Sequence, residues 1–544
     1  MSYIDHSKNN AFFKLEHKID SNPYDISSTG LTNVSDEQKI KRYILNVEPE
    51  IQFNNASSST LKRIFESAKT ARQKSHSIRQ IDRSVVKPIH DRDSYPLCYL
   101  FFNLLKKTEL LDQLVSFIPD LSDLPTFIEW YRDTNSFNFQ DVRKIMNDVI
   151  KNNNKLPTDT DADTDSNTNI IALIELYKMM FEPTDKDLRR SRCLLHKSVY
   201  DNRYISADVQ CDLESTELIY SKYLINNRHH IDVFVPINTQ GPDMDVVATL
   251  IDTVMNLSSK EKPLPSVNLT IIYSNQKKLV YPGTLLLSSD NINSGSTYPT
   301  KSIVCWRREE FYKVLIHELF HYYEYDFYHD KYDPFYDELD KTINVPKLAE
   351  GSTDSLNEAY TETMAILILS IVHYTNDQYL NSRLKVSIDA NKNNPEEEKM
   401  EYLTKMIKEE LAFVMFQVAK ILVIFGATSF DQYLTKQKSI EIYQSTSFRS
   451  YFIIKMLLLS NLDNLLNLID NKGIEIKEQK ILEYRDLIND SWDKFIISKN
   501  MIKIMDKYMI DIINAFNTKN KDWIYKTCRM CVNDTICFKR FDTF

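Results

Sequence analysis

The chain has 544 residues, of which 42% are hydrophobic and 26% are charged, and its formal net charge is -9. The length exceeds that of one ordinary hydrophobic core, so we expect several packing units. The acidic balance excludes a general electrostatic affinity for nucleic acid or for anionic membranes. The 7 scattered cysteines indicate a reducing compartment rather than a disulfide framework. The N-terminus lacks the apolar segment of a signal peptide, so we expect a cytoplasmic protein.

Polarity and periodicity divide the chain into four predicted regions. Residues 1–88 are rich in Ser, Asn and Lys, and we expect them to be largely disordered or loosely packed. Residues 89–200 carry helical patterns interrupted by an acidic run at 158–165, which predicts a helical domain with an exposed acidic loop. Residues 201–380 are predicted to form an α+β unit, and residues 381–544 a helical C-terminal region.

Short strands precede a helix in the third region. Alternating or continuously apolar segments predict strands at residues 231–236, 267–273, 284–287 and 302–306, and an amphipathic pattern predicts a helix at residues 244–257. A further helix is predicted from about Glu309, because Glu309 and Glu310 would lie in a first turn, where carboxylates favour the helix dipole. We therefore expect a mixed sheet whose last strand leads into this helix.

Residues 317–321 read His-Glu-Leu-Phe-His and fall within this predicted helix. Residues four positions apart share a helix face, so His317 and His321 can bind one zinc ion together. Glu318 stands beside them, where it can hold a water bound to the zinc. Zinc lowers the pKa of such a water, and the carboxylate accepts its proton during attack on a carbonyl carbon. The competing interpretation is a chance match, which arises on the order of once in a hundred chains of this length.

The third zinc ligand is predicted downstream of the motif. The continuation that would supply a third histidine is absent, since Glu324 and Phe327 replace the required glycine and histidine. The preferred candidates lie in the segment at 356–362, which opens an apolar helix and contains Glu358 and Glu362, whereas Asp354 is a second candidate. Glu362 lies four positions after Glu358 on the same helix face. One of the two carboxylates can bind the zinc ion while the other accepts a hydrogen bond from a ligand histidine and fixes its tautomer.

The HELFH segment at 317–321 and the LNEAYTE segment at 356–362 together resemble the gluzincin metallopeptidases. In that family the glutamate after the asparagine is the third zinc ligand, which corresponds to Glu358. The acidic residue four positions further on orients a histidine in thermolysin-like members, which corresponds to Glu362. Residues 293–362 are also similar to predicted zinc metalloproteinases of large cytoplasmic DNA viruses. The resemblance implies one zinc ion per chain and an α+β, zincin-like two-lobe core at 201–380, in which a mixed sheet with the HExxH helix is followed by a helical lobe and flanked by helical units.

The resemblance further implies hydrolysis of peptide bonds in a protein or peptide substrate. Endopeptidase activity is favoured, because the GAMEN-type motif of the aminopeptidase branch is absent. Residues 293–298 and 302–306 look like the edge of the sheet that holds substrate backbone in such enzymes. Gluzincins often stabilise the oxyanion with a tyrosine or histidine on a later helix, and Tyr451 with Arg449 are the candidates in this chain.

Two other functions are left open. A catalytically inactive, zinc-binding structural or virion-associated protein would keep the ligands, but it would need no general base, so the intact Glu318 argues against it. A binding module with an accidental HELFH would not need the well-spaced Glu358 and Glu362, which argue against that interpretation.

Two further features are interpreted as structural. Residues 411–430 form the most apolar stretch, but Gln417 and Lys420 lie near its centre, where a membrane would penalise them. We therefore expect a buried helix and no membrane partner. Cys528 and Cys531 have the spacing of half a metal site, but no second pair of cysteines or histidines lies nearby, so no second zinc ion is expected.

Overall fold

The computed structural model describes residues 47–53, 58–86, 216–259, 263–327, 355–383, 395–435, 442–469, 480–518 and 523–533, together with short pieces between them. These residues form a mixed sheet and several helices, which confirms the predicted α+β class. The helical domain predicted for residues 89–200 and the alternative ligand Asp354 lie outside the described residues.

Strands predominate before the HELFH motif and helices after it. The elements up to the motif are α1 (Ser59–Gln73), β1 (Ile78–Val86), β2 (Leu218–Ile225), β3 (His229–Pro236), α2 (Met244–Met255), β4 (Asn268–Ile272), α3 (Ser289–Ile292), β5 (Gly295–Tyr298), β6 (Ser302–Cys305) and α4 (Phe311–Tyr322). The later elements are β7 (Lys347–Leu348), α5 (Asn357–Arg383), α6 (Pro395–Ile424), α7 (Phe430–Leu434), β8 (Tyr443–Gln444), a π-helix (Arg449–Ile454), α8 (Lys455–Ser460), α9 (Leu462–Leu468), α10 (Ile481–Ile497), α11 (Lys499–Asn517) and a short 3₁₀-helix (Trp523–Tyr525).

The main sheet has six strands in the order β1-β2-β3-β4-β6-β5. Strands β1, β2 and β3 are antiparallel, β3, β4 and β6 are parallel, and β5 returns antiparallel to β6. The strands predicted at 231–236, 267–273 and 302–306 are confirmed as β3, β4 and β6, and the helix predicted at 244–257 is confirmed as α2. Strand β5 is an edge strand, since no described strand pairs with its outer side.

The strand predicted at residues 284–287 is wrong. Leu285 is 82% exposed and Leu286 is 39% exposed, whereas Leu287 is buried. Only Leu287 pairs, in an isolated bridge with Gln444 of β8. The apolar run therefore has a single residue that reaches the core, and a run of leucines alone does not define a strand.

Residues 59–86 differ from the loosely packed region expected for the N-terminal part of the chain. Helix α1 begins after Ser58, whose side chain accepts a hydrogen bond from the Leu61 N–H. The Ser67 hydroxyl of α1 donates to the Thr253 carbonyl of α2 at 2.7 Å, and β1 pairs along the length of β2. Residues 59–86 are folded because they contact residues far away in the sequence, and local composition does not predict such contacts.

Helix α4, which contains the HELFH motif, packs between the sheet and the long helix α5. Its apolar residues join one core with those of β6, α2 and α5. Helix α6 contains residues 411–424 of the apolar stretch at 411–430, and this part is a buried helix, as predicted, since Gln417 and Lys420 are both fully buried within it. The Lys420 amine donates hydrogen bonds to the carbonyls of Ile524 and Thr527, so its buried N–H groups have partners inside the core. No helix in the described part of the chain has the length and apolarity needed to cross a membrane.

Candidate metal centre

The two histidines of the HELFH motif lie on one face of α4. Because they are four positions apart, their imidazole rings stand one turn from each other, with 4.7 Å between the ring centroids. His317 and Glu318 are each 5% exposed, whereas the side chains of His321 and Glu358 are 15% and 17% exposed, so solvent still reaches part of this group. The following helix, α5, begins at Asn357, which places Glu358 in its first turn and opposite α4.

Three potential ligand atoms meet at this point. The Nε2 atoms of His317 and His321 are 3.0 Å apart. Oε2 of Glu358 lies 3.1 Å from Nε2 of His317 and 3.3 Å from Nε2 of His321. Among the described residues, these three form the group of histidine, cysteine and acidic side chains that is close enough to hold a metal ion.

Each histidine has a carboxylate at its other ring nitrogen. Nδ1 of His317 lies 3.1 Å from Oε1 of Glu362. Nδ1 of His321 lies 2.7 Å from Oδ2 of Asp326, which also accepts a hydrogen bond of 2.6 Å from the Asn357 side chain. A carboxylate at Nδ1 favours the tautomer with its proton on Nδ1, so the lone pair of each ring is left on Nε2.

Sequence analysis missed Asp326. It follows the end of α4, and the chain turns back towards His321 through Glu324, whose backbone lies in the left-handed region with φ of 55°. Aspartate five positions after a ligand histidine was the available signal, but the helical periodicity that identified the ligands no longer applies beyond Tyr322. The position of Asp326 therefore depends on a turn that the local sequence does not specify.

The donor set fits a cation. With both Nδ1 atoms protonated, the two Nε2 lone pairs and the Glu358 carboxylate oxygen are three acceptors that face one another within 3.0–3.3 Å. Such an arrangement is repulsive unless a positive charge lies between the three atoms, and either a proton on an imidazole or a metal cation can supply that charge. Two imidazole nitrogens and one carboxylate oxygen are ligands that zinc accepts, so the residues present fit a zinc ion.

Two buried lysines also approach the centre. Nζ of Lys313 lies 2.6 Å from Oε1 of Glu362, and Nζ of Lys455 lies 3.2 Å from Oε2 of the same carboxylate. Four carboxylates and two ammonium groups of the described residues lie in or next to the ligand triangle, namely Glu318, Glu358, Glu362, Asp326, Lys313 and Lys455. When all six are ionised, two negative charges are left over, which one divalent cation or two protonated imidazoles would balance.

The pKa values of these groups follow from burial and from their neighbours. Burial opposes the charge of Glu358, but His321 and His317 outweigh it and hold the pKa of this carboxyl well below its usual range. Burial likewise opposes the charge of Glu362, and Lys313 and Lys455 hold its pKa well below the usual range. Both carboxylates are consequently ionised at neutral pH, as a metal ligand and a hydrogen-bond acceptor must be.

Glu318 lies between the ligand histidines and strand β5. The Thr297 hydroxyl of β5 donates a hydrogen bond of 2.7 Å to Oε2 of Glu318. Burial raises the pKa of the Glu318 carboxyl, while His317 and His321 oppose this rise. A carboxylate whose pKa is raised by burial is a better general base near neutral pH than an exposed one.

The structure brings Tyr451 to the centre. The Tyr451 ring lies 6.1 Å from the His317 ring, centroid to centroid, and its hydroxyl shares a hydrogen bond with Glu358. Tyr451 belongs to the π-helix, a local widening that is frequent at functional sites. Arg449 is 1% exposed, and its charge acts on Tyr433 of α7.

The acidic residues before α4 have a different role from the one predicted. Helix α4 begins at Phe311, and Glu310 precedes it in the left-handed region with φ of 61°. The Glu310 carboxylate pairs with Lys278 at 2.8 Å and accepts hydrogen bonds from the backbone N–H groups of Met530 and Cys531. The prediction that Glu310 lies in the first turn of α4 is therefore wrong, because the helix begins after it. The Glu310 carboxylate instead binds the C-terminal segment.

Cys528 and Cys531 are both buried in that C-terminal segment. The Cys531 thiol donates to the Glu410 carboxylate at 3.2 Å, and this carboxylate also accepts the N–H of Asn533 at 2.8 Å. Burial raises the pKa of the Cys528 thiol to about 11, which favours the neutral thiol over a metal-binding thiolate.

Comparisons of the chain with protein-family models, with curated proteins and with solved structures gave no match. The chemistry of the centre is therefore argued from its own residues. These are two imidazoles and a carboxylate in a triangle, a second carboxylate beside them, and a tyrosine hydroxyl in contact with the first carboxylate.

Proposed function

We propose that this protein is a zinc-dependent metallopeptidase of the gluzincin type, with a zincin-like core of two lobes. The observation that carries the proposal is the triangle of His317, His321 and Glu358, with Glu318 directly beside it. In this proposal the main sheet and α4 form the first lobe, and α5 with the later helices forms the second. The ligands come from α4 and α5, so the centre lies where the two lobes meet.

Zinc is the metal that these residues favour. Catalytic zinc sites have three protein ligands and one open position, whereas structural sites are closed by four ligands and are often rich in cysteine. The three ligands here contain no cysteine, and each histidine is held by its own carboxylate. When bound, zinc would polarise the substrate carbonyl and lower the pKa of a bound water.

The protein side chains would divide the remaining work. Glu318 would accept the proton of the attacking water and pass it to the leaving nitrogen. Tyr451 would donate its hydroxyl proton in a hydrogen bond to the developing oxyanion, because burial and the neighbouring carboxylates raise its pKa and keep the hydroxyl protonated. Glu362 and Asp326 would hold the two imidazoles in the orientation that the metal requires.

A peptide substrate would bind along the outer side of β5. This strand lies beside α4, and Thr297 of β5 contacts the base Glu318. An extended peptide can add to such an edge through backbone hydrogen bonds, which gives affinity without a strict sequence requirement. The scissile bond would then lie close to Glu318, which supports endopeptidase activity.

The test compares wild-type protein with Glu318→Gln, which removes the base and leaves every ligand. Elemental analysis should find one zinc ion per chain in both proteins. Hydrolysis of a mixed peptide library, followed by mass spectrometry, should fall by a factor of about 10² or more in the variant. The control is Glu66→Gln on the exposed face of α1, which should cleave as wild type does.

Three results would contradict the proposal in different ways. Wild-type protein without zinc after reconstitution would exclude a zinc enzyme. Wild-type protein with zinc that cleaves no peptide would favour the structural or virion-associated alternative. Equal cleavage by Glu318→Gln and wild type would exclude Glu318 as the base.

A further inference from the structure

Strand β5 lies so close to Glu318 that a side chain at Gly295 would displace the Glu318 carboxylate. A Cβ atom added to Gly295 would lie 2.3 Å from Oε1 of Glu318 and 2.7 Å from Cδ, distances that real Cβ atoms essentially never show. The backbone of Gly295 is not in the left-handed region, so other residues could adopt its conformation. With glycine at this position, the Glu318 carboxylate can lie in the space that a side chain at residue 295 would otherwise occupy.

Thr297 contacts the same carboxylate from the same face of the strand. Residues two positions apart in a strand point to one face, so Gly295 and Thr297 both face α4. The Thr297 hydroxyl lies 2.7 Å from Oε2 of Glu318 and 3.1 Å from its backbone carbonyl oxygen. Gly295 thus borders one carboxylate oxygen and Thr297 binds the other.

We propose that Gly295 and Thr297 are positioning residues for the general base, and this inference rests on the proposed function. Gly295 leaves the space in which the carboxylate lies, and the Thr297 hydroxyl fixes its rotation by binding Oε2. A helix leaves more than one rotamer open to a glutamate side chain, and the two contacts from β5 favour one of them for Glu318. Strand β5, which would pair with the substrate backbone, would thus also determine the position of the Glu318 carboxylate.

The cost of losing these contacts follows from the burial of Glu318, which is 5% exposed. Thr297→Val has the same shape as threonine but leaves a buried carboxylate oxygen without its donor. Hydrogen bonds to charged groups are among the stronger ones in proteins, so the loss should displace or rotate the carboxylate. Thr297→Ser keeps the hydroxyl, and Gly295→Ala instead pushes the carboxylate out of its space.

The experiment measures binding of acetohydroxamic acid to the zinc-loaded proteins by calorimetry. This probe chelates zinc through two oxygens and shares its hydroxyl proton with an adjacent carboxylate, so its affinity depends on where the Glu318 carboxylate lies. We expect the dissociation constant to rise about tenfold or more for Thr297→Val and for Gly295→Ala, and to stay within about threefold of wild type for Thr297→Ser. Zinc content should stay at one per chain in all three variants, since neither residue touches a ligand atom in the triangle.

The matched control is Thr270→Val in β4. Thr270 is half-buried and pairs with Val304, which packs in the apolar cluster on the other face of the sheet. The Thr270→Val variant replaces a threonine hydroxyl by a methyl group in the same sheet but away from Glu318. It should bind the probe as wild type does. Thermal melting of each variant separates a local change from general unfolding.

The outcomes distinguish this inference from the proposed function. If wild type binds the probe and Thr297→Val binds it equally well, the positioning role of Thr297 is excluded while the proposed function stands. If Gly295→Ala also binds as wild type does, the whole inference is excluded. If Thr297→Val does not fold, Gly295→Ala still decides the question. Zinc-loaded wild type that does not bind the probe would contradict both the inference and the proposed function.

Discussion

Glu362 contacts the predicted zinc ligand His317 and two buried lysines. Its replacement therefore tests whether these buried charges support both folding and metal binding. The perturbation is Glu362→Gln, which keeps the shape of the side chain and removes its charge. The carboxylate lies 2.6 Å from Lys313, 3.2 Å from Lys455 and 3.1 Å from Nδ1 of His317, and the two lysine side chains are at most 1% exposed. Removing one partner of a buried ion pair typically costs about 3–5 kcal/mol, because the other charge is left without compensation.

The same substitution should weaken zinc binding through two effects. The amide oxygen of glutamine is a weaker acceptor for the His317 N–H than a carboxylate, so the ring is held less firmly. The two ammonium groups would also be left with an uncompensated charge that repels a divalent cation. Loss of such a supporting carboxylate typically weakens metal binding by about 10–100-fold, or about 1.4–2.8 kcal/mol.

The assays separate stability from affinity. Urea denaturation of the zinc-free protein should show a lower midpoint for Glu362→Gln, and competition with a chromophoric chelator should show weaker zinc binding. The double variant Glu362→Gln with Lys455→Met removes one of the two uncompensated ammonium charges, so it should recover part of the stability and only part of the zinc affinity, because the weaker acceptor at His317 remains. The control Glu310→Gln removes a buried carboxylate that pairs with Lys278, and it should lower stability alone. Wild-type zinc affinity in Glu362→Gln, or full recovery of affinity in the double variant, would refute the reasoning.

Three further predictions concern other groups of the protein. Asp326→Asn should weaken zinc binding by about 10–100-fold in the chelator assay, because His321 loses the carboxylate at its Nδ1. Tyr451→Phe should keep its zinc and lower the cleavage rate by about 10²–10³-fold, as expected for loss of one oxyanion donor. Burial lowers the pKa of Lys420 to about 8, so between that pH and its unfolded value of about 10.4 the unfolded chain binds more protons. Urea denaturation across this window should therefore show the stability of wild type rising with pH relative to Lys420→Met.

The sequence predicted the parts of the centre that depend on one helix at a time. His317 and His321 share a face of α4, and Glu358 and Glu362 share a face of α5, because four positions make about one helical turn. Spacing therefore placed each pair on one helix face, and the resemblance to the gluzincin motif assigned the separate roles of Glu358 and Glu362. That the two pairs face each other at about 3 Å is a property of the packing of α4 against α5, and spacing within either helix does not determine it.

The parts that could not be predicted come from elements far apart in the sequence. Thr297 reaches Glu318 because β5 lies beside α4, and Lys455 reaches Glu362 from the start of α8. Lysine is also among the residues least often found fully buried, so composition assigns it to the surface. Composition was also a poor guide to burial at 284–287. The apolar run there suggested a buried strand, but of its leucines only Leu287 is buried.

One of the buried lysines nevertheless has a signal in the sequence. Lys313, His317 and His321 are spaced four apart, so all three lie on the ligand face of α4. A lysine there would repel a zinc ion unless a carboxylate lay between them, and Glu362 supplies that carboxylate from α5. Four carboxylates around one divalent cation would leave two negative charges buried without compensation, which costs several kcal/mol per charge. Lys313 and Lys455 would offset those two charges through their ion pairs with Glu362, so the proposed divalent metal and the burial of the two lysines are consistent with one electrostatic balance.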